Sequence, residues 1–141
     1  MNLVAEHRLR NSLAESRQLE GWIKSFAEAA GLSATARNAF DLALVEWVTN
    51  VISYAYEDRR EHWITVRFLA APGQARVEVE DEGRAFNPLT LSPVDTGTPL
   101  EQRPTGGLGV HMIRQLMDSV EYRRADGRNI LTLTRSSGAT E

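Results

Sequence analysis

The chain reads as an α+β domain, a two-layer α/β sandwich whose mostly antiparallel sheet is covered by helices on one face. Three observations predict it. Two stretches of helical periodicity come first, alternating segments then arrive in pairs around tight turns, and a separate glycine-led helix stands between the two pairs.

Residues 13–30 carry Leu13, Leu19, Trp22, Ile23, Phe26 and Ala30 at helical spacing, and Gly31 supplies the stop. Ser33 is placed to N-cap a second helix that runs to about Tyr56, with a core face of Phe40, Leu44, Trp47, Val48, Val51 and Ala55. Segments 62–70 and 74–81 alternate in polarity and meet around Pro72-Gly73, which predicts a β-hairpin. Residues 87–105 hold Pro88, Pro93, Pro99, Pro104 and Gly97 and show no periodicity. A third helix follows from Gly107 to about Asp118, with Val110, Ile113, Leu116 and Met117 inward. Strands at about 119–125 and 129–135 close the chain, and the segment before residue 11 has the character of an edge strand. The predicted order is (β)ααββ, a long loop, then αββ.

With 141 residues the chain is the size of one domain, taken here as 1–141, and can bury about two-thirds of its unfolded surface. Hydrophobic residues at 42% and charged residues at 25% are usual for soluble globular proteins. No apolar run approaches the ~20 residues needed to cross a bilayer, and the first residues lack the order of a signal peptide. The absence of cysteine excludes disulfides, thiolate zinc sites and cysteine nucleophiles. The expectation is a cytoplasmic single domain with no membrane contact. A net charge of −3 argues against nucleic acid as a direct partner. Arg123, Arg124 and Arg128 flank an Asp126-Gly127 turn and read as a solvated hairpin end. Lys24 is the only lysine, so no P-loop is present.

Three short segments carry chemistry. In Glu46-Trp47-Val48-Thr49-Asn50, Glu46 and Asn50 are four apart and share one helix face, continued by Ala39, Ala43 and Ser53, whose small side chains leave room beside it. An amide oxygen is a hard ligand suited to Mg²⁺, and a carboxylate one turn earlier can orient a hydroxyl and accept its proton. The plainer reading is a solvated polar face. In the second strand of the hairpin Asp81 has the parity of Val77 and Val79, so it points inward and needs a donor, which the exocyclic amine of a purine provides. Gly83 then lets the backbone approach a flat base. The alternative is an aspartate that caps the following turn. Finally, Gly106-Gly107-Leu108-Gly109 opens the third helix and gathers backbone N–H groups at its positive end, which suits a triphosphate. The loop 87–105 ahead of it has the length of a lid, with Arg103 as the nearest cation. Together the segments form an inventory for Mg·ATP.

Their order resembles the ATP-binding fold shared by gyrase, the heat-shock chaperone, histidine kinases and mismatch-repair ATPases, over about residues 10–135. The three segments look like its N box, G1 box and G2 box. The wording Glu-x-Val-Thr-Asn, Asp-Glu-Gly and Gly-Gly-Leu-Gly in a stand-alone domain resembles more narrowly the anti-sigma-factor serine/threonine protein kinases. That resemblance implies the cofactors ATP and Mg²⁺, with Asn50 on Mg²⁺ and Glu46 as the base for an incoming serine hydroxyl. It further implies adenine on Asp81 beside Gly83, and phosphates wrapped by Gly106, Gly107 and Gly109. Phe86, Arg103 and Leu108 fall among the nucleotide-binding positions of the same segments. It implies as partners an anti-sigma-factor antagonist protein, phosphorylated on serine, a sigma factor held away from RNA polymerase, and a second copy in a homodimer. The lid has no lysine, and His111 is bulkier than the pattern leads one to expect. The alternatives are a non-catalytic ATP-binding module that sequesters a partner, and a stand-alone histidine-kinase-type catalytic domain.

Overall fold

The computed structural model describes residues 1–56, 58, 60–85 and 107–138. Five strands, β1 (Asn2–Arg10), β2 (Trp63–Ala71), β3 (Gln74–Asp81), β4 (Ser119–Ala125) and β5 (Arg128–Ser136), form one sheet in the order β1-β2-β3-β5-β4. Every neighbouring pair is antiparallel. Three helices, α1 (Gln18–Ala30), α2 (Ala34–Tyr54) and α3 (Gly107–Leu116), complete the described fold. The α+β class is as expected, and the segment before residue 11 is the edge strand β1.

Local chemistry accounts for most boundaries. Gly31 closes α1 in the left-handed region at φ 68°, where a side chain would be strained. The Ser33 hydroxyl accepts from the Ala36 N–H at 3.1 Å and so caps α2. Asp126 and Gly127, at φ 53° and 75°, turn β4 into β5 in the sense that matches strand twist. One boundary differs. Leu13 does not begin a helix but is 58% exposed, because the Ser12 carbonyl accepts from the N–H groups of Glu15 and Ser16 and the chain leaves β1 through tight turns. A 3₁₀ turn at Glu15–Arg17 precedes α1.

A single core joins the layers. Phe26, Phe40, Leu44, Trp47, Val48 and Val51 from the helices meet Leu9, Ile64, Val66, Phe68, Val77, Val79, Leu131 and Leu133 from one sheet face. Val110, Ile113 and Met117 bring α3 into the same core beside α2. The opposite sheet face is charged, with Arg67 against Glu6, Glu78 and Glu80. No helix among the described residues is long and apolar enough to cross a membrane.

Candidate functional site

The packing of α3 on α2 brings the first and third segments together. The Glu46 side chain lies directly over Gly109. A Cβ built at Gly109 would stand 2.5 Å from Glu46 Cδ and would overlap its carboxylate oxygen. A side chain at Gly109 would therefore displace the Glu46 carboxylate from this seat. A carboxylate at the first turn of a helix is also favoured by the N-terminal dipole.

Asn50 sits one turn further along α2. Its Nδ2 is buried and has no hydrogen-bond partner among the described residues. A half-turn of the amide exchanges its ends, so the position can offer N–H to a phosphate oxygen or C=O to a cation. Among the described residues no group of three or more His, Asp or Glu could hold a metal. The Asn50 amide by itself is compatible with Mg²⁺, which takes most of its ligands from phosphates and water and needs only one or two from protein. Ala39 and Ala43, expected to leave space on this face, are instead buried in the core. Ser53 is exposed.

The second segment is tied to the C-terminal end of α2, at Ala55. Asp81 is 1% exposed, as the strand parity predicts. It also caps the turn after it, because the Gly83 N–H donates to Asp81 Oδ1 at 2.8 Å. The inward orientation expected from strand parity and the turn-capping alternative thus hold together for one carboxylate. A Cβ at Gly83 would meet Ala55 Cβ at 2.5 Å and the Ala55 carbonyl at 2.8 Å, and the Arg84 N–H donates to that carbonyl at 2.9 Å. The turn 82–84 is thereby fastened to the end of α2. Burial pushes the Asp81 carboxyl up from its ordinary range, opposed by hydrogen bonds from Asn129 and Gly83 and by the Arg124 charge. Tyr56, just beyond α2, has its hydroxyl pushed well up by burial, and then by the nearby Asp81 charge.

Sequence reasoning missed the contribution of the β4–β5 hairpin. Asn129, 2% exposed and paired with Asp81 across the sheet, donates to Asp81 Oδ1 at 2.9 Å and to the Arg84 carbonyl at 2.8 Å. Arg124 donates to the Gly83 carbonyl at 2.7 Å, and Arg128 meets Glu80 at 3.0 Å and Glu82 at 3.7 Å. Two of the three arginines read as a solvated hairpin end therefore brace the turn beside Asp81. The only signal in the sequence was their clustering near a turn.

Phe86, Arg103, Gly106 and the whole of the expected lid, 87–105, lie outside the described residues. Gly107 and Leu108 begin α3, as expected from the glycine turn. The histidines serve other ends: His7 stacks on Trp22, His62 stacks on Tyr56 and bonds Asp58, and His111 is exposed.

A family model for the histidine kinase-like ATPase domain matches residues 9–135. The serine-protein kinase RsbW of Listeria monocytogenes is 30% identical over 113 residues, which cover 77% of this chain and 72% of the relative. RsbW of Bacillus mycoides is 35% identical over 95 residues, covering 64% of this chain and 58% of the relative. The serine/threonine-protein kinase BtrW of Bordetella bronchiseptica is 27% identical over 116 residues, 82% of each chain. In a crystal structure of the RsbU and RsbW domains of a Mycobacterium tuberculosis protein, the same fold recurs with a TM-score of 0.63 over 94% of this chain, at 15% identity. This chain spans 32% of that longer one.

Proposed function

This chain belongs to the histidine kinase-like ATPase domain family, and we propose that it is an ATP-dependent serine/threonine protein kinase of the anti-sigma-factor type. Its substrate is a small antagonist protein phosphorylated on serine, and its second partner is a sigma factor that the unphosphorylated antagonist displaces. A homodimer and a cytoplasmic setting belong to the same proposal.

The observation that carries this reading is the seat of Glu46. A carboxylate held against the first turn of α3, one helical turn from Asn50, stands beside the N–H groups that suit phosphates. A serine hydroxyl presented there meets a proton acceptor within reach of the terminal phosphate. Glu46 takes the hydroxyl proton as the oxygen attacks phosphorus, and the nucleoside diphosphate leaves in line. Asn50 would hold Mg²⁺, which when bound neutralises charge on the phosphates. Asp81 receives the exocyclic amine of adenine, and Gly83 keeps the wall thin. Catalysis in such a site is mostly positioning, which suits groups mounted on a packed helix.

The test is transfer from γ-labelled Mg·ATP in phosphatase-treated lysate of the source organism, beside Glu46→Gln. The expected outcome is phosphoserine on one small protein, lost with the variant while nucleotide still binds. Retained ATP binding with no transferred label in the wild type would show instead a module in which ATP only sets the shape for holding a partner.

A further inference from the structure

Asn129 has one permitted orientation. Its Nδ2 faces acceptors only: Asp81 Oδ1 at 2.9 Å, the Arg84 carbonyl at 2.8 Å and the Gly83 carbonyl at 3.4 Å. Its Oδ1 accepts from Arg124 Nη1, which can only donate, at 3.0 Å and from the Tyr122 hydroxyl at 2.5 Å. Reversing the amide would set oxygen against three acceptors and N–H groups against a guanidinium. Tyr122 and Arg124, on β4, thus lock an amide on β5 that in turn holds the carboxylate ending β3.

The consequence falls on Asp81. Both of its donors among the described residues, the Gly83 N–H and the Asn129 amide, use Oδ1, which leaves Oδ2 for the base. Burial favours the neutral carboxyl, and these donors favour the charged one. A neutral carboxyl binds an exocyclic amine less well, because one oxygen now carries a proton of its own.

We propose that Asn129, locked by Tyr122 and Arg124, is the positioning residue that keeps Asp81 ionised and its second oxygen free, and so sets both adenine preference and the acid limit of ATP binding. This rests on the reading that Asp81 takes adenine. The other charged or titratable neighbours do not replace Asn129. Arg124 touches it and the Gly83 carbonyl and adds its own charge but no hydrogen bond to Asp81, Tyr56 is neutral across the working range, Glu82 is exposed and pairs with Arg128, and Glu80 points to the opposite sheet face, where Arg67 and Arg128 engage it.

The test measures ATP, GTP and inorganic triphosphate affinity from acid to neutral pH in wild type, Asn129→Ala and Tyr122→Phe, with thermal melting as the check on folding. ATP affinity needs the carboxylate, so it is present above the Asp81 pKa and lost as pH falls through it. Removing a donor to the charged form raises that pKa, so the acid limb should move to higher pH. In Asn129→Ala, ATP affinity should drop about tenfold near neutrality, with triphosphate affinity unchanged. Tyr122→Phe, which removes a donor to Asn129 Oδ1 and no charge, should move the limb the same way by less, and it decides the matter if the alanine variant does not fold. A wild type that prefers ATP, with variants losing affinity equally at every pH, overturns the role of Asn129 alone. A wild type that binds ATP and GTP alike overturns the adenine reading of Asp81, and this role with it.

Discussion

Gly109 and Asp81 show how single positions combine structural cost with use. Gly109→Ala puts a methyl where the Glu46 carboxylate sits. Because a displacement of about 1 Å at a reacting group can cost on the order of 100-fold in rate, transfer measured under single-turnover conditions should fall by about that factor, with a smaller loss of ATP affinity. For Asp81 the sign runs against the usual carboxylate. Its pKa is raised by burial, so the native state holds its proton to higher pH than the unfolded chain, and folding stability falls as pH rises from the ordinary carboxylate range through the raised value. Asp81→Asn keeps an acceptor for the Gly83 and Asn129 N–H groups without a buried charge. Melting of the unliganded variant should therefore occur a few degrees above wild type near neutrality, the gap narrowing in acid, while discrimination between ATP and GTP is lost. A melting temperature that falls, or purine selectivity that survives, would contradict this. Asp81 was legible from sequence because strand parity fixes which face a side chain takes. Asn129 was not, because nothing local in Arg128-Asn129-Ile130 marks it as the partner of a residue on a different hairpin.

At the scale of elements, α2 serves core and site at once. Trp47, Val48 and Val51 are buried among the residues next to Glu46 and Asn50, so the packed side of the helix sets the position of the polar side. Phe40→Ala should cost about 3–5 kcal/mol in urea denaturation, as a large core truncation does. Ser33→Ala should cost about 1 kcal/mol through loss of the N-cap. Ser33 lies roughly 20 Å along the helix from Glu46, by the rise per residue, so its loss should leave the rate of transfer unchanged. A matching loss of rate would mean that the helix transmits the defect. The periodic faces of α1, α2 and α3 were readable because their inward residues recur at helical spacing. The start of α1 was not, because backbone turns at Ser12 outweigh an apolar residue at Leu13.

For the whole molecule, the decisive feature is strand order. Placing β5 between β3 and β4 sets Asp81 opposite Asn129 and carries Arg124 to the turn at Gly83. Hairpins, helices and the α+β class follow from local pattern, whereas this order depends on which surfaces pack after the chain has closed on itself. The three segments named from sequence therefore account for the centre of the proposed site but not for the hairpin beside it. Their meeting in one site is open to calorimetric titration of the whole chain with ATP and GTP, with and without Mg²⁺, in wild type, Asn50→Ala and Asp81→Asn. The expected result is binding at one site per chain that prefers ATP and strengthens with Mg²⁺, loses the Mg²⁺ dependence in Asn50→Ala, and loses the purine preference in Asp81→Asn. Mg²⁺-dependent, adenine-selective binding that survives both substitutions would contradict a site built from these segments.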